Sequence, residues 1–228
     1  MLTLYFAPGS SSMAVHIALH EIGVAFEGKP MSFHRNDMHF PDYLKLNPEG
    51  KVPALVVDGR PLTEVAAILF YLAKRFPDAE LLPRGDIEAE AQVLSWMSFA
   101  AATLHPARRR GLDYANEVYG IADRRLGSGW AIGRYSIADI HLFRLYWRFA
   151  NSLKPPPETF PNLTAHYARM MARPADRDRV GDRIRAAGVT AVIAFKRPSK
   201  SRLKLCRRCI RAASALNSGD IRNIRAAP

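Results

Sequence analysis

Two segments of the sequence place anion-binding groups at the start of a helix. Ser10, Ser11 and Ser12 precede an apolar run with three- and four-residue spacing, and Thr63-Glu64-Val65 opens a second such run. The first backbone N–H groups of a helix have no partner inside it, and the helix dipole is positive at that end. Both segments can therefore hold an anion. The alternatives are ordinary N-caps for the serines and a ligand-free first-turn acid for Glu64.

Histidine and cysteine supply the other reactive side chains. His105 lies near the end of a long helical run, where an imidazole can donate a hydrogen bond, move a proton or act as a C-terminal dipole partner. Cys206 and Cys209 form a C-x-x-C pair, but residues 182–228 contain no further cysteine and no histidine to complete a zinc site. The pair also lies far from the strand-to-helix turn that a redox pair requires. We predict no metal site.

The first part of the chain alternates strand and helix patterns. Pro8-Gly9 ends a strand, Gly23 ends a helical run, and Asp58-Gly59 is a favoured turn between two short strands. The predicted elements are strands over 2–6 and 26–33, a helix over 13–22, a hairpin over 54–62 and a helix over 63–73. This β-α-β-(loop)-β-β-α order predicts one α/β domain.

From Asp86 onward the strand pattern is replaced by helical patterns. Helices are predicted over 89–103, 115–126, 137–153 and 160–172. The predicted organisation is an α/β domain over 1–76, a linker with two prolines over 77–85, an all-α domain over 86–181 and a basic extension over 182–228. The extension has no clear core face, which is typical of a disordered segment.

The positive charge is concentrated in the extension. The 228 residues carry a formal net charge of +12, from 33 Lys and Arg against 21 Asp and Glu. Residues 182–228 hold 12 of the basic and 2 of the acidic residues, so residues 1–181 are close to neutral. The extension could bind an anionic surface or nucleic acid, but Phe195 is its one aromatic residue, so base stacking is nearly excluded. Alternatively, it is foreign to the rest of the chain.

The composition is that of a globular protein, with 48% hydrophobic residues. No apolar run reaches the roughly 18 residues of a membrane span, and Met1 leads directly into a strand without a basic leader. Residues 1–181 contain no cysteine and hence no disulfide. We therefore expect a soluble, cytoplasmic protein. A wholly disordered or miniature protein is excluded.

The layout and five local motifs resemble the cytosolic glutathione transferases, especially the bacterial beta class. The motifs are Tyr5-Phe6-Ala7-Pro8-Gly9-Ser10-Ser11-Ser12, Asn47-Pro48-Glu49-Gly50-Lys51-Val52-Pro53-Ala54-Leu55, Leu62-Thr63-Glu64-Val65-Ala66-Ala67-Ile68-Leu69-Phe70-Tyr71-Leu72, Leu104-His105-Pro106 and Tyr135-Ser136-Ile137-Ala138-Asp139. The resemblance covers residues 1–175. It implies an α/β thioredoxin-like N-terminal domain plus an all-α C-terminal domain, which is the glutathione transferase fold.

The resemblance also implies an activity and partners. The expected reaction is attack of the glutathione thiolate on small hydrophobic electrophiles, without a metal, by a homodimer with a role in detoxification. Membrane and nucleic-acid partners are not expected. Two alternatives are a glutathione-binding scaffold of the same fold that lost the chemistry, and an anionic-surface or nucleic-acid binder acting through residues 182–228.

The family places its thiol-activating residue at the first turn. Ser11 is the first candidate by alignment, Ser10 the second and Tyr5 the third, and His105 is expected to face the sulfur from the helical half. A thiol of pKa ~8.5 is mostly protonated at neutral pH, so a hydroxyl at a helix N-terminus would favour the thiolate. Beta-class enzymes have a cysteine where Ser11 stands, which argues against mixed-disulfide chemistry here.

The family's main glutathione contacts map onto two of the motifs. The Val52-Pro53 bond is expected to be cis, which turns the backbone of Val52 toward the cysteinyl part of glutathione like an added strand. The Glu64 carboxylate suits the γ-glutamyl ammonium, and the Val65 N–H suits the γ-glutamyl carboxylate. Relatives usually have serine or another small residue where Val65 stands. We therefore expect weakened glutathione binding.

Three further polar residues are assigned to glutathione by position. Arg35 aligns with a basic residue that pairs with the glycine carboxylate, and Lys51 directly precedes Val52 in its motif. Ser98 aligns with an asparagine that reaches the glutathione of the partner subunit. The alternative for Arg35 is a solvated loop arginine.

Two features of the second half bear on folding and specificity. Ser136 and Asp139 have the spacing of a capping box, which is structural in the family, and Asp139→Ala is predicted to cost about 1–2 kcal/mol through the lost cap. After His105 the chain is shorter than in relatives and carries Arg108-Arg109-Arg110. This stretch borders the region where the family binds its electrophile.

Overall fold

The N-terminal half is built on a four-stranded sheet of order β2-β1-β3-β4. The computed structural model describes residues 1–173. The strands are β1 (Leu2–Phe6), β2 (Glu27–Pro30), β3 (Ala54–Val57) and β4 (Arg60–Thr63). Strand β2 pairs parallel to β1, whereas β3 pairs antiparallel with both β1 and β4. The predicted thioredoxin-like α/β half is confirmed.

Two helices pack on this sheet and bury its apolar side chains. They are α1 (Ser12–Ile22) and α3 (Val65–Arg75), and they contact each other. Leu4, Leu55 and Leu69 are completely buried in the resulting core. Helix α1 stops at Gly23, whose positive φ lets its N–H cap the Leu19 and His20 carbonyls.

The hairpin prediction is confirmed, whereas other predictions in this half differ from the structure. Asp58 and Gly59 both have positive φ, as the two-residue hairpin turn requires. The helix predicted to open at Thr63 begins at Val65, because Thr63 is the last residue of β4 and Glu64 takes the N-cap position.

Strand β2 covers only 27–30 of the predicted 26–33. It is an exposed edge strand, and its last hydrogen bond to β1 runs from the Met31 N–H to the Phe6 carbonyl at 2.7 Å. A six-residue helix, α2 (Pro41–Leu46), occupies part of the predicted loop.

The second half consists of helices arranged around a central one. These are α4 (Ile87–Phe99), α5 (Leu112–Leu126), α6 (Ile137–Leu153) and α7 (Pro161–Ala172), and a π-helical segment (Ala100–Leu104) continues α4. Asp86 caps α4 by accepting from the Ala89 N–H at 2.9 Å, so the helix starts two residues earlier than predicted. Helix α6 contacts α1 and α3 of the first half as well as α4 and α7. It therefore joins the two halves.

The capping box at the start of α6 is confirmed and is part of a larger buried network. Asp139 accepts from the Ser136 N–H at 2.9 Å and from the Ala131 N–H at 2.8 Å. Its Oδ1 also lies 3.1 Å from Nε2 of His166, and both side chains are 0% exposed. Asp139 thus ties three segments of the helical half together.

The expectations for residues 182–228, including the C-x-x-C pair, lie outside the described residues, as does the predicted end of the helical domain at 181. Over residues 1–173, no helix is long and apolar enough to cross a membrane.

Candidate active site

Sheet topology brings four loop segments together at one end of the sheet, where β1, β2 and β4 end and β3 begins; we call this end the site edge. Because β3 runs antiparallel to β1, the end of β1 lies beside the start of β3, where Tyr5 pairs with Ala54. Ala54 also pairs with Thr63 at the end of β4, and Phe6 pairs with Pro30 at the end of β2. The serine turn, the Val52-Pro53 pair, the start of α3 and the loop with Arg35 therefore all leave the sheet at this edge.

The serine turn is held by a buried hydrogen-bond network that uses two of its three hydroxyls. Ser10 Oγ donates to the Ala7 carbonyl at 2.8 Å and accepts from the Ser12 N–H at 3.2 Å. Ser12 Oγ accepts from the Ala7 N–H at 3.1 Å and lies 2.5 Å from Ser10 Oγ. Both side chains are buried. Their role in this structure is to fix the turn and cap α1.

Ser11 stands apart from that network. It is the residue before α1, it is partly exposed, and its hydroxyl makes no capping bond to the helix. Within residues 1–173 it has no side-chain hydrogen bond at all. The hydrogen bond to the first helical N–H thus comes from Ser10, whereas Ser11, at the N-cap position itself, makes none. The hydroxyl of Ser11 is therefore free to donate to a ligand at the start of the helix.

The Val52-Pro53 peptide bond is cis, as the family resemblance implied. Lys51, the residue before Val52, is fixed by two hydrogen bonds. Its carbonyl accepts one from Asn47 Nδ2 at 2.8 Å and one from the Tyr43 hydroxyl. The Lys51 side chain is exposed and paired with Glu49. The backbone of Val52 is therefore held in place at the same edge as Ser11.

At the start of α3, Glu64 has φ +67°, in the left-handed region that non-glycine residues seldom adopt. Its carboxylate is exposed and makes no capping bond, and no other acidic residue lies in the first turn. The side chain of Val65 is buried, and its backbone N–H is the first of α3. Backbone outliers of this kind cost about 1–3 kcal/mol and cluster at ligand sites.

The structure gives the remaining predicted residues of the first half clear environments. The Arg35 guanidinium binds Asp37 through two hydrogen bonds, of 3.1 and 2.7 Å, and the pKa of Asp37 is lowered mainly by this contact. Tyr5 packs its ring against Tyr43, with centroids 5.3 Å apart, beside Ala54. Arg35 is thus occupied by a carboxylate of its own loop. Tyr5 lies at the site edge.

His105 follows the π-helical segment directly. Its N–H donates to the Ala100 carbonyl at 2.9 Å, which is a five-residue spacing that shifts the helix register at this point. Desolvation and the nearby guanidiniums of Arg144 and Arg109 lower the pKa of His105 to about 4. The imidazole is therefore neutral at physiological pH. This argues against its being a cationic partner of the helix dipole.

Ser98 lies on the exposed face of α4, on the same side of the helix as Leu94.

Arg144 is a site residue that the sequence did not reveal. Its Nε donates to the Ser10 carbonyl at 3.1 Å, and its side chain is 1% exposed. Burial lowers its pKa to about 10, so it keeps its charge at neutral pH. The available signal was a pair of arginines, Arg144 and Arg148, inside the apolar run of α6. The contact places a positive charge directly beneath the serine turn.

No group of three or more His, Cys, Asp and Glu side chains that could hold a metal ion occurs among residues 1–173.

These features define a class of protein: a thioredoxin-like domain with a cis-proline ligand edge, completed by an α-helical domain. Residues 1–74 match the family model of the glutathione S-transferase N-terminal domain, and residues 91–174 match that of the C-terminal domain. Together they cover most of the chain. The chain belongs to the glutathione S-transferase family.

Individual relatives agree with this assignment. Glutathione S-transferase GstA of Escherichia coli O157:H7 is 32% identical over 214 residues, covering 82% of this chain and 100% of that protein. A bacterial beta-class glutathione S-transferase of Sphingomonas chungbukensis is 34% identical, with TM-score 0.66 and coverage of 82% and 100%. A Sulfitobacter homologue, solved with bound glutathione, is 31% identical, with TM-score 0.68 and coverage of 83% and 99%.

Proposed function

We propose that this glutathione transferase joins the glutathione thiolate to small hydrophobic electrophiles, with Ser11 as the thiolate-stabilising hydroxyl. The observation that carries the assignment to Ser11 is its free hydroxyl, because Ser10 and Ser12 are occupied with each other and with Ala7. The N-terminus of α1 adds its dipole at the same point. The role of the protein is then detoxification of such electrophiles.

Glutathione binds along the shared edge in this proposal. The backbone of Val52 pairs with the cysteinyl residue, the Val65 N–H holds the γ-glutamyl carboxylate, and Glu64 holds the γ-glutamyl ammonium. The exposed, uncommitted carboxylate of Glu64 supports its assignment. Lys51 and Arg35 flank this track and supply positive charge for the glycine carboxylate. For Arg35 this means sharing its guanidinium with Asp37.

His105 acts from the helical half as a neutral hydrogen-bond donor to the sulfur. A histidine with a pKa of about 4 is a weak base at neutral pH, so a donor role fits it better than proton removal. Tyr5 is the reserve candidate for thiol activation.

The active form is a homodimer in the cytoplasm. Two large apolar side chains of α4, Ile87 and Leu94, are 77% and 46% exposed and lie seven residues apart on one helix face. Ser98 continues that face, which supports its proposed contact with the partner's glutathione. Light scattering on the purified protein tests the dimer, and a monomer that turns over substrate would contradict it.

A glutathione titration with turnover measured in parallel tests the function. Calorimetry gives the affinity, and a chlorinated nitroaromatic substrate gives the rate. Glu64→Gln is expected to weaken glutathione binding about tenfold, as for one lost charge-assisted hydrogen bond. Glu88→Gln is the matched control, since Glu88 is also an exposed acid in a first helical turn but lies on α4.

The outcomes separate the enzyme from its rival of the same fold. Glutathione binding with turnover supports the transferase. Retention on immobilised glutathione without turnover of any chlorinated or epoxide substrate would support the scaffold, and absence of glutathione binding would contradict both.

A further inference from the structure

Four arginines of the helical half gather beside the proposed active site. Arg108 and Arg109 lie in the short 3-10 helix after His105 (Ala107–Arg110), and Arg144 and Arg148 lie on α6. We name them the arginine cluster: Arg108, Arg109, Arg144 and Arg148.

Helix geometry places part of the cluster on one face of α6. His141, Arg144, Arg148 and Ser152 follow at spacings of three, four and four residues, so they share that face. Arg108 reaches the same face, because its Nη1 donates to Ser152 Oγ at 3.1 Å. Its neighbour Arg109 lies in the same short 3-10 helix, four residues after His105. The cluster thus joins α6 to the segment that follows His105.

The cluster has no counter-charge of its own. Among residues 1–173, no member forms an ion pair with a carboxylate. Arg148 is half-buried, and its pKa is lowered by desolvation and by the charges of Arg108 and Arg109. Uncompensated cations held together in a partly desolvated place are costly, and an anionic ligand would relieve that cost.

Two buried nitrogen atoms at this place also lack partners. Within the described part of the chain, Arg144 Nη1 and His141 Nδ1 are buried and make no hydrogen bond. Both side chains lie on the α6 face of the cluster. The other end of the Arg144 guanidinium contacts the serine turn through Ser10. A buried guanidinium nitrogen ordinarily has an acceptor, so the unpaired Nη1 of Arg144 adds to the uncompensated positive charge at this place.

We propose that the arginine cluster binds a carboxylate of the second substrate, so that the enzyme prefers electrophiles carrying an anionic group. This inference rests on the proposed transferase function and names its substrate class. Arg148 and Arg109 are the residues that contact the carboxylate, because they are accessible and have no partner in the described chain. Arg144 is a positioning residue, since it is buried and fixes the serine turn.

The reaction with such a substrate is an ordinary aromatic substitution. The glutathione sulfur forms a bond to the ring carbon that carries chlorine, and the carbon–chlorine bond breaks. Chloride leaves with the bonding electron pair, and the thiol proton passes to solvent. The carboxylate remains unchanged and serves only to hold the ring.

A matched pair of substrates tests the preference. The probes are 4-chloro-3-nitrobenzoate and its neutral amide, 4-chloro-3-nitrobenzamide, each normalised to its uncatalysed rate with glutathione. We expect the normalised kcat/KM to favour the benzoate at least about tenfold, as for one charge-assisted hydrogen bond. Arg148→Gln and Arg109→Gln should each reduce that ratio toward one. Arg124→Gln, at an exposed position on α5, is the control and should leave it unchanged.

A binding measurement keeps this inference separate from the proposed function. Calorimetry compares 3-nitrobenzoate with 3-nitrobenzamide on protein saturated with S-methylglutathione, which cannot react. A benzoate preference that Arg148→Gln removes supports the cluster even if neither chlorinated probe is turned over, in which case only the transferase proposal fails. Turnover of both probes without any preference would overturn the inference and leave the transferase intact.

The carboxylate could also come from a second glutathione molecule. Calorimetric stoichiometry tests this: two molecules per chain, the second lost in Arg148→Gln, would support the carboxylate site and identify a peptide as its ligand. If Arg148→Gln instead weakens binding of the first glutathione tenfold and leaves the benzoate ratio unchanged, the cluster belongs to the glutathione site and the proposal is overturned.

Discussion

The role of Ser11 can be tested by removing one oxygen atom. Ser11→Ala changes no packing in the buried turn, because the network of Ser10, Ser12 and Ala7 does not use the Ser11 hydroxyl. The backbone at Ser11 is already helical, with φ −61° and ψ −23°, which alanine adopts readily. The variant should therefore fold normally and lose only a donor to the bound thiolate.

The expected size of the effect follows from the charge of the acceptor. A hydrogen bond to a charged group contributes about 1.5–3 kcal/mol, and one pKa unit corresponds to about 1.4 kcal/mol. Loss of the Ser11 donor should thus raise the pKa of the thiol of bound glutathione by about 1–2 units. At a pH below the thiol pKa, kcat/KM should fall about 10- to 100-fold.

The assay is the pH profile of kcat/KM, together with ultraviolet titration of the bound thiolate. Ser11→Ala should move the ascending limb of the profile to higher pH, and Ser11→Thr, which keeps the hydroxyl, should restore it. Ser128→Ala, at an exposed loop serine, is the control. If Ser11→Ala leaves the ascending limb at the same pH and keeps kcat/KM within twofold of the native value, Ser11 is not the donor. Tyr5→Phe then becomes the next test.

Three further predictions concern stability and the histidines. Asp139→Ala should cost about 3–5 kcal/mol in chemical denaturation, more than a cap alone, because it leaves several buried donors unpaired; a loss below 1 kcal/mol would contradict this. Burial lowers the pKa of His16 to about 4 from the unfolded value near 6.5, so its contribution to stability, at most about 3 kcal/mol, is present above pH ~6.5 and lost as the pH falls toward 4. The melting temperature should therefore fall less between pH 7 and 4.5 in His16→Phe than in the native protein, and equal falls would refute the assignment. His105→Ala should lower kcat about tenfold without altering the pH profile between 5.5 and 8, whereas a lost acidic limb would show that His105 titrates there.

The parts of the fold that the sequence predicted are those with a local physical signal. The hairpin turn was predicted because Asp58-Gly59 tolerates two positive φ angles, and both are observed. The long helices were predicted from apolar spacing, and α6 also from its capping box. These signals depend only on neighbouring residues. The folded protein keeps the predicted elements because its tertiary contacts bury the same apolar faces.

The parts that were missed or wrongly bounded give no clear periodic signal. Strand β2 was predicted, but its extent was wrong: its four residues are all exposed and show no alternating pattern, and its ends are set by the pairing with β1. Helix α2 is too short to give a periodic signal. The π-helical segment before His105 differs from an α-helix by one residue in hydrogen-bond spacing, which apolar periodicity does not resolve.

The candidate site also has features that the sequence predicted and features that only the structure shows. The resemblance ranked Ser11 first at this turn, but only the packing shows that the hydroxyls of Ser10 and Ser12 are hydrogen-bonded while that of Ser11 is not. A burial pattern likewise assigns Arg144 to the core of α6. Only the distance between its Nε and the Ser10 carbonyl shows that it belongs to the site.

The contact between Arg144 and Ser10 links the position of the serine turn in the thioredoxin-like half to the packing of α6 in the helical half. Ser10 fixes Ala7 and Ser12, and this network sets the position of Ser11 at the start of α1. Arg144 holds the network from α6, and α6 is in turn held at its start by Asp139. A change in the packing of α6 should therefore displace the serine turn that carries the proposed thiolate-stabilising hydroxyl, even though α6 supplies none of the proposed glutathione contacts. The helical half in this protein thus positions Ser11 as well as lining the proposed second-substrate site.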